Sequence, residues 1–331
     1  MEEQTRRNCE LLIENRNRVK SVFPWNGGLL NLACAGIFTA KGKAADEAVL
    51  EDCRNLLKQK VGVFSSFRST VRSPITAMLA ASGNPEQTLE NGLLVYQLLK
   101  QDFRTSVYLP LAAMIIAQTT EPFRYEGIAS RTRTIYDRMK KEHPFLTSGQ
   151  DSAFCALMAL SEKTDDSMME DAEQCYRNLK PHFFSSDAVQ SLSNVLALCD
   201  GRPETKCEKT TDLLEKLKAE GYRYGTGCEL PTLGVWAMSG GNSDEIVQEI
   251  AGIDDWLSQQ KGFGVFSGIS RRQRLMYAGM VAQKDYLNET AMQAAAVNGT
   301  ISLIVTQEAA MYAAVAASSA AAAAASSSSS G

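Results

Sequence analysis

Leu89-Glu-Asn-Gly-Leu-Leu-Val-Tyr-Gln-Leu-Leu-Lys-Gln-Asp-Phe103, then Arg104-Thr-Ser106, then Leu111-Ala-Ala-Met-Ile-Ile-Ala117 holds the fold in miniature. In the first part Leu89, Leu93, Tyr96, Leu99 and Phe103 recur in steps of three and four, the apolar stripe of an amphipathic helix whose other face is charged. The last part is apolar on every side, which predicts a helix enclosed by neighbours. Between them an aromatic residue is followed by small polar ones. The Ser or Thr ahead of the second helix is placed to cap its free amides.

The unit returns along the chain. Leu99, Met139, Leu179, Leu217 and Leu257 each close a long helix, at intervals of 40, 40, 38 and 40. Tyr96, Tyr136 and Tyr176 stand three residues before three of these markers, and Lys100, Lys140, Lys180 and Lys218 directly follow four of them. The turns align as Phe103-Arg-Thr-Ser106, Phe145-Leu-Thr-Ser148, Phe183-Phe-Ser-Ser186, Tyr224-Gly-Thr-Gly227 and Phe266-Ser-Gly-Ile-Ser270. Phe64-Ser-Ser-Phe-Arg-Ser69 is an earlier copy, and Val19 with Phe23-Pro-Trp25 a weaker first one. Asn84-Pro85-Glu86 and Gly201-Arg-Pro203-Glu204 read as helix starts with Pro near the first position. No strand-like alternation with hairpin turns occurs. The fold class expected is therefore all-α: six or seven tandem helix pairs of about forty residues over 1–287, stacked as an open α-solenoid or a closed α/α toroid.

The period stops near Asn288. Residues 288–325 are rich in alanine, the best helix former, and predict a long C-terminal helix, with 326–331 as a flexible tail. Alanine contributes little transfer energy and Gln307 and Glu308 interrupt the stretch, so a capping helix is favoured over a membrane anchor.

Composition sets the remaining bounds. Thirty-four Lys and Arg against 38 Asp and Glu argue against a general nucleic-acid binder. The first residues lack the apolar core of a secretory signal, and none of the eight cysteines forms a Cys-x-x-Cys pair. Buried free thiols in a reducing cytoplasm are expected. No membrane partner is expected.

The search for chemistry returns little. His143 and His182 sit in inter-helix turns and read as ordinary turn histidines. Gly262-Phe-Gly-Val-Phe-Ser-Gly268 resembles a phosphate loop by glycine content alone. There is no nucleophile elbow, no His-Glu-x-x-His and no paired-Cys zinc pattern, so catalytic residues stay unassigned and no metal or cofactor is expected. One row stands out at the starts of the second helices: Arg68 and Arg72, Asp151, Asp187 with Gln190, Glu229, then Arg271, Arg272 and Arg274. In a stacked array such positions line one edge. Arg68, Arg72, Asp151, Gln190, Glu229, Arg271 and Arg274 are the candidate ligand-binding residues, suited to a polar or zwitterionic partner. Polar residues there also cap helices, and acids favour the helix dipole, whereas arginines do not.

Several stretches resemble an uncharacterised family of Gram-positive bacterial proteins, catalogued as a domain of unknown function. They are Phe64-Ser-Ser-Phe-Arg68, His143-Pro-Phe-Leu-Thr-Ser148, Gln190-Ser-Leu-Ser193, Gly221-Tyr-Arg-Tyr-Gly-Thr-Gly227, Lys261-Gly-Phe-Gly264 and Gln273-Arg-Leu-Met-Tyr277. The resemblance spans nearly the whole chain and implies a bacterial, cytoplasmic protein, without an activity. The favoured reading is a cytoplasmic binding scaffold for a protein, peptide or small polar ligand. One alternative is an enzyme using Asp151, Asp187 or Glu229 in a toroid cavity. The other is membrane association through the C-terminal helix.

Overall fold

Asp46, Asn84, Thr164 and Asn242 each accept backbone amides with their side-chain oxygens, and each starts one of the long charged helices. The computed structural model describes residues 1–103, 106–225, 229–264 and 269–282. The Ala-rich segment 288–325, the tail 326–331 and Cys228 lie outside the described residues. The described residues are all-helical, without a strand.

The first seven helices are α1 (Glu3–Val22), α2 (Gly28–Ala40), α3 (Glu47–Lys60), α4 (Arg72–Ala80), α5 (Pro85–Asp102), α6 (Leu109–Thr119) and α7 (Tyr125–Glu142). Then come α8 (Ser152–Leu160), α9 (Asp165–Leu179), α10 (Ser186–Leu198), α11 (Pro203–Ala219), α12 (Leu230–Ala237), α13 (Ser243–Ser258) and α14 (Arg271–Ala282). Each odd helix packs on the even one that follows. Even helices also pack on even ones and odd on odd, from α2 to α14 and from α1 to α13. The last members meet the first: α13 and α14 touch α1, and α14 touches α2.

Burial follows the sequence pattern. Every residue of α12 is buried, as is α10 from Ala188 to Leu198, because even helices are covered on all sides. Odd helices bury one stripe. The markers Leu57, Leu99, Met139, Leu179, Leu217 and Leu257 are all buried, and so is Val19 in the first helix. Close approach between even helices needs glycine. A Cβ on Gly234 would stand 2.6 Å from Leu192 Cδ1, and one on Gly279 would run into the Trp236 indole.

Side chains also tie the turns to one another. At the α6→α7 and α8→α9 type of turn, Lys41 Nζ donates to Ala81 O (3.2 Å) and Lys163 Nζ to Ala197 O (2.9 Å). Arg131 Nη1 donates to Ala159 O (2.9 Å). The buried Lys206 is satisfied by Asp171 Oδ2 (2.5 Å), Leu196 O (2.8 Å) and Cys199 O (3.2 Å). At the other kind of turn, Ser106 Oγ donates to Gly149 O (3.0 Å) and Arg16 Nη2 to Gly262 O (3.1 Å). Gly262 has φ 90°, and a Cβ there would lie 2.5 Å from Arg16 Nη1, so glycine is required.

One alignment made on the sequence is corrected. Phe145 was matched to Phe103, but Phe145 is 99% exposed while Phe103 is buried. The residue in the inward position is His143, four after Met139 as Phe103 is four after Leu99. Its ring lies 4.5 Å from Tyr176, as Phe103 lies 5.1 Å from Tyr136 and Phe67 5.1 Å from Tyr96. Each of these three turns places an aromatic against the tyrosine of the next long helix. In the fourth turn that aromatic is a histidine.

Candidate functional site

Helix α7 ends where the His143 amide bonds Met139 O (2.8 Å), which folds the chain back over the helix terminus. Thr147 Oγ1 then donates to Met139 O (3.1 Å), and Lys140 Nζ donates to Thr147 O (2.6 Å). These bonds hold the turn over the end of α7. His143 Nε2 sits 2.9 Å from Glu173 Oε2, and Arg177 Nε donates to the other carboxylate oxygen at 2.9 Å. The carboxylate fixes the imidazole in its place on Tyr176.

From α10, Gln190 Nε2 donates to Thr147 Oγ1 (3.0 Å). Gln190 and Asn194 are buried, yet Gln190 Oε1 and Asn194 Nδ2 have no hydrogen-bond partner among the described residues. An unpaired buried polar atom costs about 1–3 kcal/mol. Here Gln190 and Asn194 line one cavity of about 20 Å³, together with His143, Glu173 and Ser193. That is room for about one water or one small polar group. The cavity shares Glu142, Met169 and Glu173 with a surface groove of about 830 Å³ between α7 and α9. Arg138, Lys141 and Arg177 give the groove cations, and Glu142, Glu170 and Glu173 give it anions.

The candidate row falls into three parts. Asp151, with Gln190, belongs to the junction just described. Asp151 is buried and accepts the Ser148 amide through Oδ2 (2.7 Å). Burial pushes its carboxyl up to about 7, the charge of Asp187 adds to the rise, and the Ser148 amide opposes it. Asp187 is raised as well, by burial.

The second part lies at α12–α14. Glu229 is fully buried, with Oε1 3.5 Å from Arg272 Nη1. Arg274 Nε lies 2.5 Å from Oδ1 of the buried Asp254 of α13, and its Nη1 donates to Phe263 O (3.0 Å). Arg271 Nε reaches Asp254 Oδ2 at 3.5 Å while its guanidinium covers the Tyr222 ring at 4.4 Å. Arg68 and Arg72 form the third part. They are half-buried, and among the described residues their side chains make no ion pair or hydrogen bond. The contacts join the row in groups, not as one cluster.

Sequence reading missed His143, Glu173 and Asn194. His143 was set aside as a turn histidine, and His182 is indeed exposed on the surface. The overlooked signal was register. Counting four residues from Met139, rather than matching Phe to Phe, puts His143 in an aromatic position, and Glu173 precedes Tyr176 as Arg133 precedes Tyr136. Nothing in the sequence marks Asn194. Among the described residues seven cysteines are free, six of them buried, and the thiols of Cys9 and Cys34 are pushed up to about 12 chiefly by burial. Among the described residues no three His, Cys, Asp or Glu side chains gather as a metal site, and no helix is long and apolar enough to cross a membrane.

Fold and site together define an all-helical protein with a polar cavity beneath a charged groove. Residues 15–310 match the family described as protein of unknown function, DUF4003, and the chain belongs to that family. It is 24% identical over 223 residues to the uncharacterized protein YeaA of Bacillus subtilis (strain 168), covering 64% of this chain and 65% of that one. The chain therefore spans just under two thirds of that relative's length. No solved structure matches it. Neither the family description nor the relative's name assigns a function.

Proposed function

We propose that the helix pairs of residues 1–287 close into an α/α ring that acts as a binding scaffold for a small polar ligand. Contacts of α13 and α14 with α1 and α2 support closure. The single observation behind binding is the pair of partnerless buried atoms, Gln190 Oε1 and Asn194 Nδ2, at the foot of an open groove. An acceptor and a donor four residues apart on α10 suit an amide, a carboxylic acid or a hydroxyl group. The mixed charges of the groove suit a zwitterion. Arg68, Arg72, Asp151, Glu229, Arg271 and Arg274 belong to the same edge in this reading.

The carboxylate-enzyme alternative is not favoured: Asp151 caps a turn and Glu229 faces Arg272. An anchor through 288–325 has no support among the described residues.

The test is a thermal-shift panel of free amino acids, dipeptides and dicarboxylates on the full chain. At least one zwitterion should raise the wild-type melting temperature, and Gln190→Leu with Asn194→Leu should abolish that rise while leaving the unliganded protein folded. A panel with no hit, or a rise that survives the double substitution, overturns the proposal.

A further inference from the structure

Four of the seven turns that lead from a long helix into an enclosed one separate two kinds of aromatic residue. Phe23, Phe67, His143 and Phe183 point inward, whereas Trp25, Phe64, Phe145 and Phe184 are between 97% and 102% exposed. The inward set is explained by stacking and core packing. The outward set touches little, and single exposed aromatics would need no explanation. Four in the same kind of turn, five to seven residues after Val19, Leu57, Met139 and Leu179, do.

These turns lie at one end of the array. Ser106 Oγ bonds Gly149 O across the third and fourth turns, and Gln190 bonds Thr147 across the fourth and fifth pairs. Arg16 bonds Gly262 O between the last turn and the first helix. The turns of the opposite kind are tied to one another by Lys41, Arg131 and Lys163.

Charge divides the same way. The seven stretches 19–28, 57–72, 99–109, 139–152, 179–186, 217–230 and 257–271 hold 14 Lys and Arg against five Asp and Glu. Two of those five, Asp151 and Glu229, are buried. The six opposite stretches 40–49, 80–87, 119–127, 160–167, 198–205 and 237–245 hold five Lys and Arg against twelve Asp and Glu. Helix dipoles favour this polarity, and Lys140 and Lys180 donate to turn carbonyls, so charge alone has a structural cause. The exposed aromatics have none.

We propose that this basic, aromatic-tipped end docks on an anionic lipid surface. Trp25, Phe64, Phe145 and Phe184 enter the headgroup layer, and exposed lysines such as Lys20, Lys58 and Lys141 face the lipid charge. No helix among the described residues is long and apolar enough to span the bilayer. The acidic end faces away, which orients the molecule. Single-stranded nucleic acid also takes cations and aromatics, but it stacks its bases on platforms along a groove, whereas these rings project from separate turn tips.

Vesicle co-sedimentation of the full chain tests this, with phosphatidylcholine vesicles against vesicles carrying about 30% phosphatidylserine. Wild type should pellet with the anionic vesicles at low salt and be released by raised salt. The triple variant Phe64→Ser, Phe145→Ser, Phe184→Ser should bind at least about tenfold more weakly. Lys20→Glu, Lys58→Glu, Lys141→Glu should also weaken binding, while Phe123→Ser, an exposed aromatic at the opposite end, should not. Helical content and melting temperature of each variant confirm its fold. The proposal is overturned if wild type stays in the supernatant, if the triple variant pellets like wild type, or if wild type binds a single-stranded oligonucleotide but no vesicle.

Discussion

Two junctions of this molecule treat buried polar groups in opposite ways. Where α13 and α14 meet α1, Asp254 is enclosed by Arg274 and Arg271, and Arg16 is spent on the Gly262 carbonyl while lying 4.8 Å from the Phe263 ring. Where α7, α9 and α10 meet, Gln190 Oε1 and Asn194 Nδ2 are left over and Asp151 is held near neutrality by burial. The first junction pairs its charged groups to hold the fold, with Arg16 Nε alone of the atoms named there left without a partner among the described residues. The second leaves an acceptor and a donor of α10 buried without a partner among the described residues, and such atoms call for an explanation.

The largest effect should come from the junction of α13 and α14 with α1. Arg274→Met leaves Asp254 buried with only the 3.5 Å contact to Arg271, and should cost about 3–5 kcal/mol. Urea unfolding checks this. Adding Asp254→Leu should recover most of the loss, since a buried pair is replaced by apolar volume. A single variant as stable as wild type would erase the contrast between the junctions.

Asp151 gives the opposite junction a pH signature. Its folded pKa, about 7, lies above its ordinary 3.8, so the folded state binds the extra proton. Stability is then highest below about pH 4 on this account and falls as pH rises towards 7, by at most about 1.4 kcal/mol per pH unit. Asp151→Asn keeps an oxygen for the Ser148 amide and should flatten that slope, with its gain over wild type seen above pH 7. Melting curves across pH 4–8 decide it, and a variant with the wild-type slope would assign the titration elsewhere.

A third comparison uses glycines of the closing pair. Gly279→Ala drives a methyl group into Trp236 and should destabilise by about 1–3 kcal/mol. Gly252→Ala on α13 meets nothing within 4 Å and should stabilise by about 0.5–1 kcal/mol. Equal effects would mean that α12 and α14 do not approach as closely as described.

Legibility in the sequence followed from how each feature is encoded. Helices were legible because periodicity reports burial directly: the stripe of Leu89, Tyr96 and Leu99 is buried, and the uniformly apolar α12 is enclosed. The marker spacing placed the ends of the long helices. Contact between the first and last pairs was not legible, since it depends on small rotations between units that no spacing records. At the site, Asp151 and Gln190 were read from position alone. His143 was hidden by a misaligned Phe145. Asp254 looked like one more acid on a charged helix, although three-dimensional packing turns it into the buried partner of Arg274.

Gln190 carries the smallest and sharpest prediction. Replacing it with leucine removes one bond, from Nε2 to Thr147 Oγ1, and one acceptor that finds no partner. A hydrogen bond contributes about 0.5–1.5 kcal/mol and an unsatisfied buried group costs about 1–3 kcal/mol, so the two nearly cancel or favour leucine. Gln190→Leu should therefore lie within about 1 kcal/mol of wild type, or be slightly more stable. Thr147 keeps its own bond to Met139 O in that variant, so the turn should hold. A loss comparable to that of Arg274→Met would show that Gln190 serves the fold after all, and that the two junctions differ in degree only. A neutral or stabilising result would leave a buried glutamine that folding does not require, at the place where the groove narrows to the cavity.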